Sequence, residues 1–153
     1  MPNPLVPVLL PILALQSQPL TATELSLGAA AAVARETFVG GELGLARRTS
    51  TESRIALALA GGGVAGEAAA RAQLTLQLMV NSFARTGVGL YGGLGAAFSA
   101  RRGSPGQGYV AILLGVESAP GRRQGWYGEL GLGGGFRAAA GWRVRWFPSW
   151  WKG

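Results

Sequence analysis

The sequence predicts an all-β fold: eight antiparallel strands closed into an up-and-down barrel with short loops. Three observations predict it. First, residues 71–80 alternate strictly. Arg71, Gln73, Thr75 and Gln77 fall on one parity, and Ala72, Leu74, Leu76, Leu78 and Val80 on the other. Successive side chains of a strand point to opposite faces, so this stretch is a ribbon with one polar and one apolar side; a helix scatters both sets around its circumference. Second, the pattern recurs about every 16 residues, a strand of roughly 10 plus a turn, which makes eight ribbons. Third, the chain is apolar overall, with only 14% charged residues, yet no uninterrupted apolar run reaches the roughly 18 residues of a spanning helix. Consecutive ribbons joined by short turns are antiparallel neighbours, and an even number closes without an unpaired edge.

The ribbons follow in order. The first covers residues 24–34, with Leu25, Leu27, Ala29, Ala31 and Val33 opposite Glu24, Ser26, Gly28 and Ala30. The second, 38–46, sets Val39, Leu43 and Leu45 against Gly40, Glu42, Gly44 and Ala46. Residues 47–53 are polar and read as a turn. The third ribbon is 54–62, and Gly61, Gly62, Gly63 and Gly66 mark the next bend. The fourth is 71–80, followed by a turn at 81–86. The fifth, 87–100, carries Val88, Leu90, Leu94 and Phe98 on one side and Tyr91 among glycines on the other. Residues 101–108 contain Gly-Ser-Pro-Gly and read as a loop. The sixth ribbon is 109–118, the seventh 125–137 and the eighth 141–147, with bends at 119–124 and 138–140.

The length of 153 residues fits one domain. All seven acids are Glu, Lys152 is the only lysine, and the net charge is +7. The arginines are dispersed rather than gathered with stacking aromatics, which argues against a nucleic-acid groove. Residues 5–15 are apolar, interrupted by Pro7 and Pro11, with the length of a signal-peptide core. Residues 1–20 are therefore expected to be a signal peptide cut near 16–20, and 21–153 the barrel; a tail or plug-like segment is the competing reading. The absence of Cys fits export.

The orientation of the two faces separates a membrane barrel from a soluble one. The apolar parity carries the large side chains, Leu, Ile, Val, Phe and Trp. The other parity is mostly Gly, Ala and Ser with scattered ions, whereas a solvated face is normally rich in charged and polar residues. A glycine-rich face suits the crowded interior of a narrow barrel, and a bulky apolar face suits lipid. Leu74, Leu76, Leu78, Leu90, Leu130, Leu132 and Val144 are thus expected to face lipid. Glu24, Glu42, Glu117 and Glu129 are expected in the lumen with Arg54, Arg71, Arg143 and Arg145, as a paired network, because unpaired buried charges are costly.

On strand count, alternation and its last strand, the chain resembles the small eight-stranded outer-membrane barrels of the OmpA transmembrane-domain and OmpX type, over residues 21–151. The resemblance implies a C-terminal assembly signal, for which Gly141, Val144 and Trp146 match and Ala139 replaces the usual polar residue. It also implies residence in the outer membrane of a Gram-negative-type bacterium, with membrane lipid, lipopolysaccharide and the barrel-assembly machinery as partners. Trp146, Trp150 and Trp151 fit an interfacial aromatic girdle. With the N-terminus in the periplasm, the bends near Arg35, 63–70, 101–108 and 138–140 face outward, where Arg101 and Arg102 are either lipopolysaccharide contacts or ordinary loop charges.

Little in the sequence points to catalysis. Gly61, Gly63, Gly66 and Gly87, Gly89, Gly92 match a dinucleotide fingerprint, but neither opens an amphipathic helix in a βαβ unit. No His, Cys or Asp is present, so no conventional metal site or His-based triad forms. The expected function is a non-enzymatic, cofactor-free barrel, monomeric or homo-oligomeric, that anchors in the membrane or offers a narrow, occluded path. Two alternatives compete: a soluble lipocalin-like barrel with Leu74, Leu76 and Leu78 around an apolar ligand, and a subunit of an oligomeric pore.

Overall fold

A computed structural model describes residues 18–152. Of the expected signal peptide, residues 1–17 lie outside the described part. The chain forms eight strands: β1 (Ala22–Val33), β2 (Thr37–Arg48), β3 (Ser53–Val64), β4 (Glu67–Val80), β5 (Val88–Arg101), β6 (Ser104–Ser118), β7 (Gln124–Leu132) and β8 (Phe136–Trp146). Each pairs antiparallel with its chain neighbour, and β8 pairs with β1 from Thr23↔Trp146 to Val33↔Phe136, closing the barrel. Closure gives the two terminal strands partners on both sides, so no ladder is left open.

The strands are longer than the alternation alone predicts, and their ends differ for identifiable reasons. Gly61, Gly62 and Gly63 do not bend the chain; they continue β3 between β2 and β4, and the turn is the pair Ala65 and Gly66, both at positive φ (49° and 84°). Two consecutive residues of that conformation match the right-handed twist of the flanking strands. The expected loop at 101–108 shrinks to residues 102–103, and Pro105 lies inside β6. Proline is tolerated there because its segment pairs with β5 across a register shift, while pairing with β7 begins only at Ile112. The bend expected at 138–140 is strand: Ala138, Ala139 and Ala140 pair with Ala31, Ala30 and Ala29 of β1. The turn lies at residues 133–135, where Gly134 and Gly135 have φ of 73° and 132°. Phe136 and Arg137 consequently open β8 instead of ending the seventh ribbon.

Side-chain polarity is inverted relative to a water-soluble domain. Leu74, Leu76, Leu78, Leu90, Leu130 and Leu132 are all more than half exposed, as are Leu94, Val110 and Leu114. Val144 shares their parity but is half-buried. The arrangement needed by a lipocalin-like carrier, with Leu74, Leu76 and Leu78 inward, is therefore overturned. The interior holds alanines, Phe38, Met79, Tyr91, Leu113 and Tyr127 together with most of the charges. Glycine makes room for these larger groups: a Cβ on Gly115 would overlap the Tyr91 ring, and one on Gly93 would lie 2.9 Å from Cγ of Gln77.

A continuous girdle of exposed leucines and valines is unfavourable in water and favourable in hydrocarbon. Leu76 pairs with Leu94, which pairs with Ile112, across the outer face. Leu76→Arg is expected to lower unfolding stability in liposomes by about 2–4 kcal/mol, the cost of a cation near the bilayer midplane. Urea titration followed by tryptophan fluorescence measures it; an unchanged midpoint would place Leu76 outside hydrocarbon.

Candidate functional site: the ion network of the lumen

Strand alternation turns one residue in two toward the axis, and every strand sends polar groups inward. β1 supplies Glu24, β2 Glu42 and Arg48, β3 Arg54, β4 Gln77, β5 Tyr91, β6 Glu117, β7 Glu129, and β8 Arg137, Arg143 and Arg145. All of them are buried. The barrel is narrow enough for their ends to meet.

The densest part lies toward the end where β1 begins and β8 finishes, the terminus end of the barrel. Glu24 accepts from Arg48 Nε at 2.5 Å and from Arg54 Nη1 at 2.6 Å. Glu117 accepts from Arg54 Nη1 at 3.3 Å, from Arg145 Nη2 at 2.9 Å and from Arg143 Nη1. Arg54 Nε also donates to Gln77 Oε1 at 2.9 Å, and its guanidinium lies 4.6 Å from the centre of the Tyr91 ring. Deeper in, Tyr91 Oη donates to Glu129 Oε1 at 2.8 Å, and Arg143 Nη2 approaches the same oxygen at 3.8 Å. Arg137 then bridges the two remaining carboxylates, 2.9 Å to Glu129 Oε2 and 2.6 Å to Glu42 Oε1. Four glutamates and five arginines thus form one connected set running across the lumen.

The membership differs from the sequence expectation in three residues. Arg71 faces inward but pairs with no carboxylate; it donates to the Gly133 carbonyl at 2.5 Å, nearer the opposite end. Sequence register gives parity, not the course of a side chain: Arg71 lies on one cross-strand row with Ala60 and Glu42 and lines the same small void as Glu42, yet its guanidinium turns to the Gly133 carbonyl. Arg48 and Arg137 are members that the expectation left out. Arg48 has the parity of Glu42, Gly44 and Ala46, and reading β2 two residues further finds it. Arg137 shares the parity of Glu129, but its role depends on the turn falling before it.

The terminus end is closed by packing. Arg48 donates to the Ser82 and Pro120 carbonyls at 3.1 and 2.8 Å and lies 5.3 Å from the centre of the Phe147 ring. Leu20 and Pro120 are fully buried there. Trp151, expected in the aromatic girdle, instead folds under the barrel: its Nε1 donates to the Gly121 carbonyl at 2.9 Å, and its ring packs on Phe83 and Phe147. Trp146 and Trp150 remain exposed. The other end opens into a vestibule of about 400 Å³ lined by Arg35, Glu36, Phe38, Arg71, Arg101 and Tyr109, among others. Arg101 there is engaged by Glu36. Between the two ends, the internal voids at the network amount to about 10 and 20 Å³, roughly the space of a single water.

This arrangement is suited to holding strands together rather than to proton transfer. Each network carboxylate is clamped by at least one guanidinium, so every glutamate of the set ties its own strand to a side chain of another. Gly141, Val144 and Trp146 lie along β8, and Gly141 meets Gly28 of β1, where an added Cβ would overlap the Leu27 carbonyl.

Two solved outer-membrane proteins share this architecture. Neisserial surface protein A superposes with a TM-score of 0.57 at 12% identity, over 82% of this chain and 97% of its own. Ail, the attachment invasion locus protein of Yersinia pestis, solved in complex with the heparin analogue sucrose octasulfate, superposes with a TM-score of 0.54 at 11% identity, over 84% of this chain and 99% of its own. At such identities the likeness is one of fold: the chain has the fold of the small eight-stranded outer-membrane barrels. No protein-family model matches the sequence, and no curated protein matches it.

Removing one partner of a buried ion cluster costs more than replacing the cluster whole. Arg137→Met is expected to destabilise the barrel by about 3–5 kcal/mol, because Glu42 and Glu129 lose their shared cation. Combining it with Glu42→Leu and Glu129→Leu is expected to recover most of that loss. Urea midpoints of the single and triple variants in liposomes decide the point.

Proposed function

We propose that the chain is a non-enzymatic integral protein of the bacterial outer membrane, a closed structural barrel that anchors in the lipid and presents its short hairpins at the outer surface. One observation carries the reading: a girdle of exposed leucines surrounds a lumen crossed by a connected ion network. The girdle requires hydrocarbon outside, and the network leaves no water-filled path inside. Of the two roles that a small barrel offers, anchoring and conduction, the filled lumen favours anchoring.

In this reading the termini lie in the periplasm, and the turns at residues 34–36, 65–66, 102–103 and 133–135 face the exterior. Gly141, Val144 and Trp146 serve as the signal read by the barrel-assembly machinery, and outer-membrane lipid and lipopolysaccharide are the surrounding partners. The hairpins are too short to form a separate binding domain, so any recognition at the outer face falls to the vestibule and its rim.

The reading predicts that the protein fractionates with the outer membrane and migrates faster on a gel before boiling than after it. It also predicts no resolved single-channel steps in a planar bilayer at protein amounts that incorporate fully. A soluble-fraction band rejects membrane residence; stepwise conductance rejects the closed lumen and favours the oligomeric pore.

A further inference from the structure

The charge of +7 is distributed unevenly along the barrel axis. The lumen holds six arginines, at positions 48, 54, 71, 137, 143 and 145, and four glutamates, at 24, 42, 117 and 129, for +2. The end that presents the short hairpins holds Arg35, Arg101 and Arg102 against Glu36 and Glu67, for +1. The terminus end holds Arg47, Arg85, Arg122, Arg123 and Lys152 against Glu52, for +4. More than half of the net charge therefore sits on one rim.

Four of those cations converge. Arg85, Arg122, Arg123 and Lys152 line one open cavity of about 630 Å³, completed by Gln124 and Val144. No carboxylate lines it, and none of the four joins an ion pair among the described residues. The backbone that carries them is fixed from within. Arg145 Nη1 donates to the Arg122 carbonyl at 3.1 Å, and the Arg145 amide donates to the Arg123 carbonyl at 2.6 Å. The Gly121 amide donates to the Ala84 carbonyl at 2.8 Å, tying the β6–β7 turn to the β4–β5 connection. Arg85 rests 4.6 Å from the centre of the Trp151 ring.

The depth of the cavity points to its occupant. Val144 belongs to the outward parity of β8 and pairs with Gln124, directly beside the cross-strand pair Trp126↔Trp142. Those two tryptophans and Trp146 are exposed on the outer face. Tryptophan gathers where hydrocarbon meets the headgroup layer, so the cavity opens at headgroup level with the apolar girdle beginning at its edge. We infer that this rim is a binding site for the phosphate of an anionic phospholipid in the leaflet on the terminus side, its acyl chains lying along Val144 and the neighbouring tryptophans. The inference rests on the membrane reading above. Clustered cations at a membrane surface each strengthen attraction to anionic lipid, and their effects accumulate.

The test uses the full chain, purified in a neutral detergent, with Arg122→Gln, Arg123→Gln and Lys152→Gln combined in one variant. A second variant carries Arg35→Gln, Arg101→Gln and Arg102→Gln at the other rim. Native mass spectrometry during titration with phosphatidylglycerol, phosphatidylcholine or inorganic phosphate reports what is retained. The expected result is retention of phosphatidylglycerol over phosphatidylcholine, weakened about tenfold or more in the first variant and unchanged in the second. Inorganic phosphate is expected not to displace the lipid at equal concentration. Equal retention in the wild type and the first variant overturns the site, as does equal retention of the two lipids. Displacement by inorganic phosphate alone overturns the lipid site and reduces it to a simple anion site. Heat-modifiability of every variant reports folding separately, so a failure of this site is distinguishable from a failure of the membrane barrel.

Discussion

A backbone in hydrocarbon finds no water, so every amide and carbonyl in the spanning region must pair within the protein. That constraint organises this chain. It explains why β8 returns to β1, leaving no strand with an unpaired edge. It also explains why stretches that would break a sheet in water remain in the ladder here. Gly61, Gly62 and Gly63 have little to contribute by side-chain packing, yet leaving the ladder early would expose their amides. The alanines at 138–140 hold their places in β8 for the same reason.

Closure at eight strands then sets the character of the inside. The lumen is too narrow for a pore and too wide to be filled by glycine and alanine alone. Long side chains must cross it, and arginine and glutamate are long enough to meet from opposite walls. Because each strand contributes to the network or its hydrogen bonds, the ions tie together parts of the wall that share no backbone ladder, Arg137 of β8 with Glu42 of β2 for example. Buried ion pairs contribute little net stability in many proteins. Their value here lies in fixing which walls face one another, since a one-residue slip of any strand would turn its ions into lipid.

Much of this was legible in the sequence because a period of two is a direct image of a two-sided wall. The parity of Leu74, Leu76 and Leu78 against Gln73, Thr75 and Gln77 marks both faces, and the size contrast between the faces indicates which one meets lipid. What the alternation does not carry is the position of strand ends and the depth of each residue. Strand ends depend on whether a partner strand extends alongside, which is why Pro105 lies in β6 and residues 133–135, not 138–140, form the last turn. The course of a long side chain across the lumen is set by its neighbours on other strands, so Arg71 joins the inward set yet turns to the Gly133 carbonyl, while Arg48 and Arg137 meet carboxylates. The packing of Leu20, Pro120 and Trp151 beneath the barrel carries no periodic signal at all, because it joins segments that are not strands.

The central claim is that the bulky apolar parity faces hydrocarbon while the ions face the axis. Because the chain lacks cysteine, single spin labels can be placed by Leu76→Cys, Leu90→Cys and Leu132→Cys, with Arg102→Cys as a loop reference. In liposomes, collision rates with oxygen and with a water-soluble nickel chelate measure the surroundings of each label directly. High oxygen and low nickel collision rates are expected at the three leucine positions and the reverse at 102. High nickel collision rates at positions 76, 90 and 132 would place those side chains in water and contradict it.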